Sequence, residues 1–154
     1  MGKGGEDVDH EAYMSQALEL ARQALAAGEV PVGCVIVREG QVVGRGRNRR
    51  EADRTALGHA ELDAIRQACA ALGGWRLEGC ALYVTLEPCP MCAGAIINAR
   101  IPVVRYGAKD EKAGCCGSVL NLFEERFNHR PRIYGGLLER ECAALLQAFF
   151  SQLR

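Results

Sequence analysis

The sequence predicts an α/β domain whose sheet is partly parallel. Short apolar runs rich in β-branched residues alternate along the chain with stretches in which apolar residues recur every three or four positions. Glycines follow the first two of these helix-like stretches, as is common where a helix ends. With 154 residues, of which 49% are hydrophobic, the chain is long enough for one sizeable core. We therefore expect a single domain over residues 1–154, with residues 1–8 as a flexible lead-in.

The N-terminal third of the chain predicts a helix followed by a β-hairpin. Asp9 suits an N-cap, and Gly28 is placed to end the helix. The apolar positions at helical spacing between them are Met14, Ala17, Leu18, Ala21 and Leu25. Residues 32–37 form a continuous apolar run, and Val42 opens a second run after a short turn. An arginine-rich loop, GRGRNRREADR, is expected after this second strand.

The rest of the chain predicts strands and helices in alternation. The expected elements are a helix at 59–72, a strand at 81–86, a helix at 89–99, a strand at 103–106, a glycine-rich loop GAKDEKAGCCGS, a brief helix at 120–127, a strand at 133–134 and a closing helix from 137 to about 153. In such sheets, ligand sites form beyond the strand ends. We therefore expect a functional site at the start of the helix at 89–99, which directly follows a buried strand.

Cys89 and Cys92 form a C-x2-C pair, the spacing at which two thiolates bind one metal ion. His59, at the start of the preceding helix, can supply a nitrogen as third ligand. Three protein ligands leave one tetrahedral position of a zinc ion open, as a catalytic site requires, whereas a structural site has four ligands. The sequence therefore predicts a catalytic zinc centre.

Glu61 lies two residues after His59, within reach of the open position. Zinc lowers the pKa of a water molecule to about 7, and a nearby carboxylate can take a proton from that water and return it to a leaving group. The N–H groups of the first helical turn favour the negative charges involved. An H-x-E sequence followed by P-C-x-x-C is the signature of the zinc deaminases that act on nucleobases.

The C-x2-C pair has two other interpretations, half of a zinc ribbon and a redox-active dithiol. A ribbon needs a second C-x2-C pair, which the sequence lacks. A redox dithiol does not call for an H-x-E segment at a helix start. Pro88, immediately before Cys89, also suits a helix start. The catalytic zinc centre is therefore favoured.

The distribution of charge along the chain bears on whether the protein binds nucleic acid. The formal net charge is zero, which argues against a generic nucleic-acid-binding protein. Basic residues are nevertheless concentrated at Arg45, Arg47, Arg49, Arg50 and Arg54. This arginine cluster is either an RNA-binding surface or simply a solvated face.

No apolar run approaches the ~20 residues of a membrane span, and eight cysteines without a secretory signal favour the reducing cytosol.

Beyond the ligands, the chain resembles the cytidine-deaminase-like superfamily and, within it, the tRNA adenosine deaminases. The resemblance extends from about Tyr13 to Phe150. Its segments are EVPVG at 29–33, Asn48, HAEL, TLEPCPMCAGAI, YGAKDEKAG, FNHR and ECAALLQAFF. It implies a three-layer fold with a central five-stranded mixed sheet flanked by helices, and a cytoplasmic homodimer. Cys115 and Cys116 stand where the family usually has two alanines, and we interpret them as small packing residues.

The resemblance also implies an activity. His59, Cys89 and Cys92 would hold zinc while Glu61 shuttles protons in the hydrolytic conversion of adenosine to inosine, at the wobble position of an arginine tRNA. In the family, the residue matching Asn48 hydrogen-bonds the base, and the backbone N–H of Ala60 would hold the base edge. The residues expected to meet the anticodon stem-loop are Asp110, Asn128, His129, Phe149 and Phe150. For one of the two phenylalanines, core packing is an alternative at least as strong.

Two other functions remain open from the sequence. A deaminase of a free base or nucleoside, such as guanine or cytosine, needs no basic approach surface and fits the zero net charge. A zinc-stabilised RNA-binding or scaffold protein without activity would have lost its proton shuttle, whereas Glu61 is present. Deamination of the tRNA anticodon is favoured over both.

Overall fold

The computed structural model describes residues 8–153, so the predicted lead-in at 1–8 lies outside them except for Val8. The elements in chain order are α1 (His10–Ala26), β1 (Gly33–Arg38), β2 (Gln41–Arg47), α2 (Ala60–Leu72), β3 (Cys80–Leu86), α3 (Pro90–Asn98), β4 (Val103–Ala108), a 3₁₀ turn (Leu122–Glu124), β5 (Arg132–Tyr134) and α4 (Glu139–Gln152). The alternation of strands and helices is the one predicted. No helix in the described residues is both long and apolar enough to cross a membrane.

The five strands form one mixed sheet in the order β2-β1-β3-β4-β5. Strand β1 pairs antiparallel with β2 and with β3. Strands β3, β4 and β5 are parallel to one another. The expected five-stranded mixed sheet is therefore confirmed, and its parallel part brings the ends of β3 and β4 to the same edge.

Helices cover both faces of the sheet because successive strand residues point to opposite sides. On one face, β1 packs through Cys34 and Ile36 with the small residues of α2 and the isoleucines of α3. On the other, it packs through Val35 and Val37 with α1 and α4. The result is the predicted three-layer cytidine-deaminase-like fold, with α2 and α3 together on the face that carries the predicted ligands.

The arginine-rich segment is only partly a loop, because β2 continues through Gly44 to Arg47. Helix α2 lies directly against this strand. A Cβ at Gly44 would collide with the carbonyl oxygen of Ala64, and one at Gly46 with that of Ala60. The prediction of a loop from Gly44 onwards was wrong because these glycines serve the close approach of a helix and not a turn.

The predicted helix at 120–127 is a single 3₁₀ turn, Leu122–Glu124. Asn121 caps it by accepting a hydrogen bond from the N–H of Phe123 at 3.1 Å. The N–H of Leu122 donates instead to Cys115 at 2.9 Å. Because the backbone in this stretch is bonded to the preceding loop, it cannot continue as a helix.

Several element ends also differ from the predictions by one or two residues. Helix α4 begins at Glu139 and not at 137, because Leu138 has a left-handed backbone (φ 52°). Helix α3 carries Pro90 at its start, so Pro90 and not Pro88 takes the position that favours proline. Strand β5 includes Arg132 in addition to the predicted 133–134.

Candidate metal centre and active site

Two helix starts bring the predicted metal ligands together. His59 is the N-cap residue of α2, and Cys89 is the N-cap residue of α3, each with extended backbone. An N-cap side chain usually bonds an N–H of the first turn, but neither of these side chains does so. Both turn instead toward each other and toward Cys92, in the first turn of α3. The side chains of both N-cap residues are therefore available to bind a metal ion, because they do not cap their own helices.

The distances fit a tetrahedral metal ion. The Nδ1 atom of His59 lies 3.6 Å from Sγ of Cys89 and 3.5 Å from Sγ of Cys92. Metal bonds of about 2.3 Å to sulfur and about 2.0 Å to nitrogen at tetrahedral angles put these atoms roughly 3.5 Å apart. All three ligand atoms lie within 4.8 Å of one another. The donor set of one imidazole and two sulfurs is one that zinc accepts, with a fourth position left over.

The three groups shift one another's pKa through hydrogen bonds. The hydrogen bond from Cys92 lowers the pKa of Cys89 to about 4 against the opposing effect of burial. The same pairing raises the pKa of Cys92, and a hydrogen bond with Cys89 raises the pKa of His59. The cluster thus favours a thiolate on Cys89, the form in which sulfur binds a metal.

Glu61 lies on the first turn of α2 and is only 4% exposed. Burial raises its pKa to about 7. Glu61 lines the same pocket as His59 and Cys89. A buried carboxyl group beside an open metal position, able to gain and lose a proton near neutrality, suits general acid–base work.

The pocket has a volume of about 480 Å³, within the range of small-molecule sites. It lies at the edge of the sheet where β3 and β4 end. Of the predicted substrate-contacting residues, the structure places Asn48, Ala60, Asp110 and Phe150 in its lining. Among the described residues, the N–H of Ala60, the first residue of α2, donates to no protein atom, so this end of the pocket offers a free donor.

Asn48 follows β2 and is 6% exposed. Its Oδ1 atom accepts a hydrogen bond from the N–H of Arg50 at 3.0 Å. Its Nδ2 group donates to no protein atom in the part of the chain that the structure describes, and the residue faces the pocket. The amide is therefore fixed through its oxygen and presents its donors to the cavity.

Asp110 and Phe150 both line the pocket. The Oδ1 atom of Asp110 accepts hydrogen bonds from the N–H groups of Lys112 and Ala113, both at 3.1 Å, so the side chain folds back on its own loop. Phe150 is 52% exposed, and Phe149 packs edge-on against it with ring centroids 5.3 Å apart. The exposed ring of Phe150 leaves apolar surface at the pocket mouth.

The structure does not place Asn128, His129 or Phe149 in this pocket lining. Asn128 is exposed, in the loop before β5. His129 is half-buried, and its Nε2 atom donates to the carbonyl of Ile101 at 2.7 Å. Contacts of these three residues with RNA therefore stay predictions.

The arginine cluster divides into paired and unpaired members. Arg49 pairs with Asp53 at 3.3 Å, and Arg47 donates to the carbonyl of Gln23 at 3.1 Å. Arg50 is exposed and lines the pocket, as do Lys109 and Lys112 from the opposite loop. Three basic side chains therefore line the pocket together with the acidic Asp110 and Glu111, although the net charge of the chain is zero.

Two buried carboxylates beside the site received no role from the sequence. Glu87 is 2% exposed and lines the pocket, and Glu29 is 3% exposed and lies next to the lining residue Val30. Hydrogen bonds from Ser118 and from backbone N–H groups overcome the effect of burial and lower the pKa of Glu87. A glutamate inside an apolar segment was the available signal, but only the fold shows which donors each meets.

Comparisons with known proteins agree with this site. The family model described as MafB19-like deaminase matches residues 8–154. The tRNA-specific adenosine deaminase of Bacillus subtilis is 51% identical over 94% of this chain and 90% of its own length. A solved structure from studies of A-to-I editing by tRNA:A34 deaminases at the wobble position is 46% identical, with a TM-score of 0.85, over 88% of this chain and 99% of that chain.

A third relative has a different substrate in its name. The solved guanine deaminase from Bacillus subtilis is 33% identical, with a TM-score of 0.65, and the match covers 94% of this chain and 95% of that chain. The adenosine deaminases are thus the more similar of the two groups in sequence and in structure. The chain belongs to the MafB19-like deaminase family, and within it to the group that contains the tRNA-specific adenosine deaminases.

Proposed function

We propose that this protein is a zinc-dependent deaminase that converts adenosine to inosine at the wobble position of a tRNA anticodon. The observation that carries the proposal is the grouping of His59, Cys89 and Cys92 around one metal position, with Glu61 in the same pocket. The names of the most similar relatives support the RNA substrate. An arginine tRNA, a homodimeric assembly and a cytoplasmic location follow from the resemblance and are part of the proposal.

The metal centre would be held by one nitrogen and two sulfur ligands, from His59, Cys89 and Cys92. Zinc bound there supplies the acidity that ionises a water molecule near neutral pH. The two helix starts direct backbone N–H groups toward this position. They therefore favour negative charge at the point where the water attacks.

Glu61 would move the proton. Water adds to C6 of adenine while Glu61 takes one of its protons and delivers it to N1 of the ring. Glu61 then takes the remaining proton of the new hydroxyl group and passes it to the amino group as the C6–N6 bond breaks. Ammonia leaves and the ring carbonyl of inosine forms, so one water is consumed for each ammonia released. The side-chain amide of Asn48 and the backbone N–H of Ala60 would hold the base by its polar edge.

The RNA loop would approach between two walls of the pocket. Arg50 on one side and Lys109 and Lys112 on the other offer cations for phosphates. The exposed ring of Phe150 offers a face on which a base can stack. Asp110, Asn128, His129 and Phe149 are assigned to the surrounding RNA contacts.

The test is a comparison of substrates at equal concentration. An RNA anticodon stem-loop with adenosine at the wobble position should yield inosine. The same stem-loop with that adenosine moved one position, free adenosine, adenine, guanine and cytosine should not react. Reaction of a free base or nucleoside together with an inert stem-loop would overturn the proposed substrate.

The second candidate is a guanine deaminase, favoured by the 33% identity to the Bacillus subtilis enzyme of that name and by the zero net charge. The same experiment decides between the two. Release of ammonia from guanine in the absence of RNA would support this second function.

A further inference from the structure

Two carboxylates at the pocket have no part in the proposed chemistry. Glu29, Glu61 and Glu87 are the buried acidic residues of the described chain, and only Glu61 has a chemical role. Neither Glu29 nor Glu87 takes part in an ion pair in the part of the chain that the structure describes. A buried charge without a cation is costly unless hydrogen bonds satisfy it, so the donors that each meets indicate its purpose.

Glu87 is surrounded by donors from a single loop. Its Oε1 atom accepts hydrogen bonds from the N–H of Asp110 at 3.0 Å and from the hydroxyl of Ser118. Its Oε2 atom accepts from the N–H groups of Cys116 at 2.8 Å and of Ser118 at 3.1 Å. Four donors spread over nine residues thus meet one carboxylate.

The loop is shaped to fit this carboxylate. A Cβ at Gly114 would collide with the carboxyl group of Glu87, so a side chain there would displace that carboxyl group. The N–H of Cys115 also donates to the carbonyl of Pro88 at 2.8 Å, which ties the loop to the residue before Cys89. Loop 109–118 therefore lies against the start of α3, and its residues 109–113 form one wall of the pocket.

Glu29 holds the loop that forms the opposite wall of the pocket. It accepts hydrogen bonds from the N–H groups of Glu51 at 3.1 Å and of Ala52 at 2.8 Å. These two residues follow Asn48 and Arg50, which line the pocket. Loop 49–53, which begins directly after Asn48, is therefore fixed to the segment between α1 and β1.

We propose that Glu29 and Glu87 are positioning residues, each of which holds one wall of the pocket in place for the substrate RNA. The nature of the substrate rests on the proposed function, whereas the holding of the loops does not. A carboxylate suits this role because it only accepts, so every N–H that faces it is satisfied. A preformed wall spares the substrate the cost of ordering a loop on binding.

The experiment compares Glu87→Gln with Glu29→Gln, each serving as the control for the other. A glutamine has the same shape but turns a donor group toward backbone N–H groups that need an acceptor. Hydrogen–deuterium exchange should speed up in loop 109–118 of E87Q alone and in loop 49–53 of E29Q alone. With the RNA stem-loop, KM should rise about tenfold in each variant, while kcat changes by less than about threefold and the metal content stays unchanged.

The results of these measurements can contradict the positioning role, the assignment of Glu87 and the proposed function separately. Unchanged exchange in both loops, or equal loss of protection throughout the molecule, would overturn the positioning role without reference to any substrate. Loss of metal in E87Q would mean that Glu87 acts through Cys89 and not through its loop, and would overturn its assignment. If E87Q does not fold, Ser118→Ala removes one of the four hydrogen bonds and should raise exchange in 109–118 alone. A wild-type protein inactive on RNA, with both loops released as expected, would remove the proposed function and leave the positioning role intact.

Discussion

The Nδ1 atom of His59 lies 3.5 Å from Sγ of Cys92, although 33 residues separate the two in the chain. The contact joins the start of α2 to the first turn of α3, across the edge of the sheet at which β3 ends. Because Cys89, the third candidate ligand, lies at a similar distance from the same nitrogen, the three atoms could bind one metal ion.

Cys92→Ala should empty the metal position. Two remaining ligands bind zinc weakly, so metal content should fall from about one ion per chain to near zero, with loss of turnover. Elemental analysis of the purified variant measures this directly. Cys69→Ala is the matched control, because Cys69 is a half-buried cysteine on the last part of α2. A full complement of metal in Cys92→Ala would contradict the assigned ligand set.

Glu61→Gln should abolish turnover and keep the metal. The amide cannot accept the proton from water, and general acid–base groups contribute about 10²–10⁴-fold to rate. Single-turnover deamination and metal content should be measured on the same preparation. Glu11→Gln, at an exposed glutamate of α1, should leave both unchanged. A metal-free Glu61→Gln would indicate that this carboxylate is a ligand.

Asn48→Ala and Asn48→Asp separate two roles of one side chain. The oxygen of Asn48 holds the N–H of Arg50, and its Nδ2 group faces the pocket. Aspartate keeps the acceptor but lacks the donor, so both variants should lose about 10- to 100-fold in kcat/KM if the donor holds the base. Steady-state kinetics on the stem-loop measures this. Wild-type activity in Asn48→Asp would mean that the side chain only holds the N–H of Arg50 and does not bind the base.

Arg50→Ala should weaken RNA binding and its salt dependence. Each phosphate contact to single-stranded nucleic acid contributes about 0.7 to the slope of log affinity against log salt, so the slope should become shallower by roughly that amount. Binding of the stem-loop should be titrated at several salt concentrations. Arg22→Ala removes an exposed arginine that pairs with Glu19 on α1 and should change neither quantity. An unchanged slope in Arg50→Ala would make that arginine a solvated charge.

Gly46→Ala should destabilise the fold where β2 meets α2. The added methyl group would collide with the carbonyl of Ala60, and overpacking of this kind costs about 1–3 kcal/mol. Urea denaturation measures the change in the free energy of unfolding. Gly74→Ala is the control, because nothing lies within 4 Å of a Cβ there. Equal stability of the two variants would refute the close approach as the reason for Gly46.

The sequence was most informative where periodicity and chemistry coincide. The apolar run at 81–86 followed directly by Cys89 predicted a strand that delivers two thiolates to a sheet edge, and the structure has β3 and α3 in that order. The sequence was least informative where the role of a residue depends on contact with another residue far away in the chain. The segment from Gly44 to Arg47 was predicted as part of an arginine-rich loop, yet its glycines lie in β2 and accommodate the backbone of α2, which follows later in the chain.

The sequence by itself determined the alternation of strands and helices, the candidate metal ligands and the presence of a carboxylate two residues from the histidine. These follow from local spacing, which fixes which side chains share a helix turn or a strand face. Only the tertiary structure decided that loops 49–53 and 109–118 form opposite walls of one pocket. It also decided that Glu29 and Glu87 lie beneath them, since 22 residues separate Glu29 from Glu51 and 31 separate Glu87 from Ser118. No local pattern records which buried carboxylate meets which free N–H, because that pairing exists only after the sheet has brought the loops together.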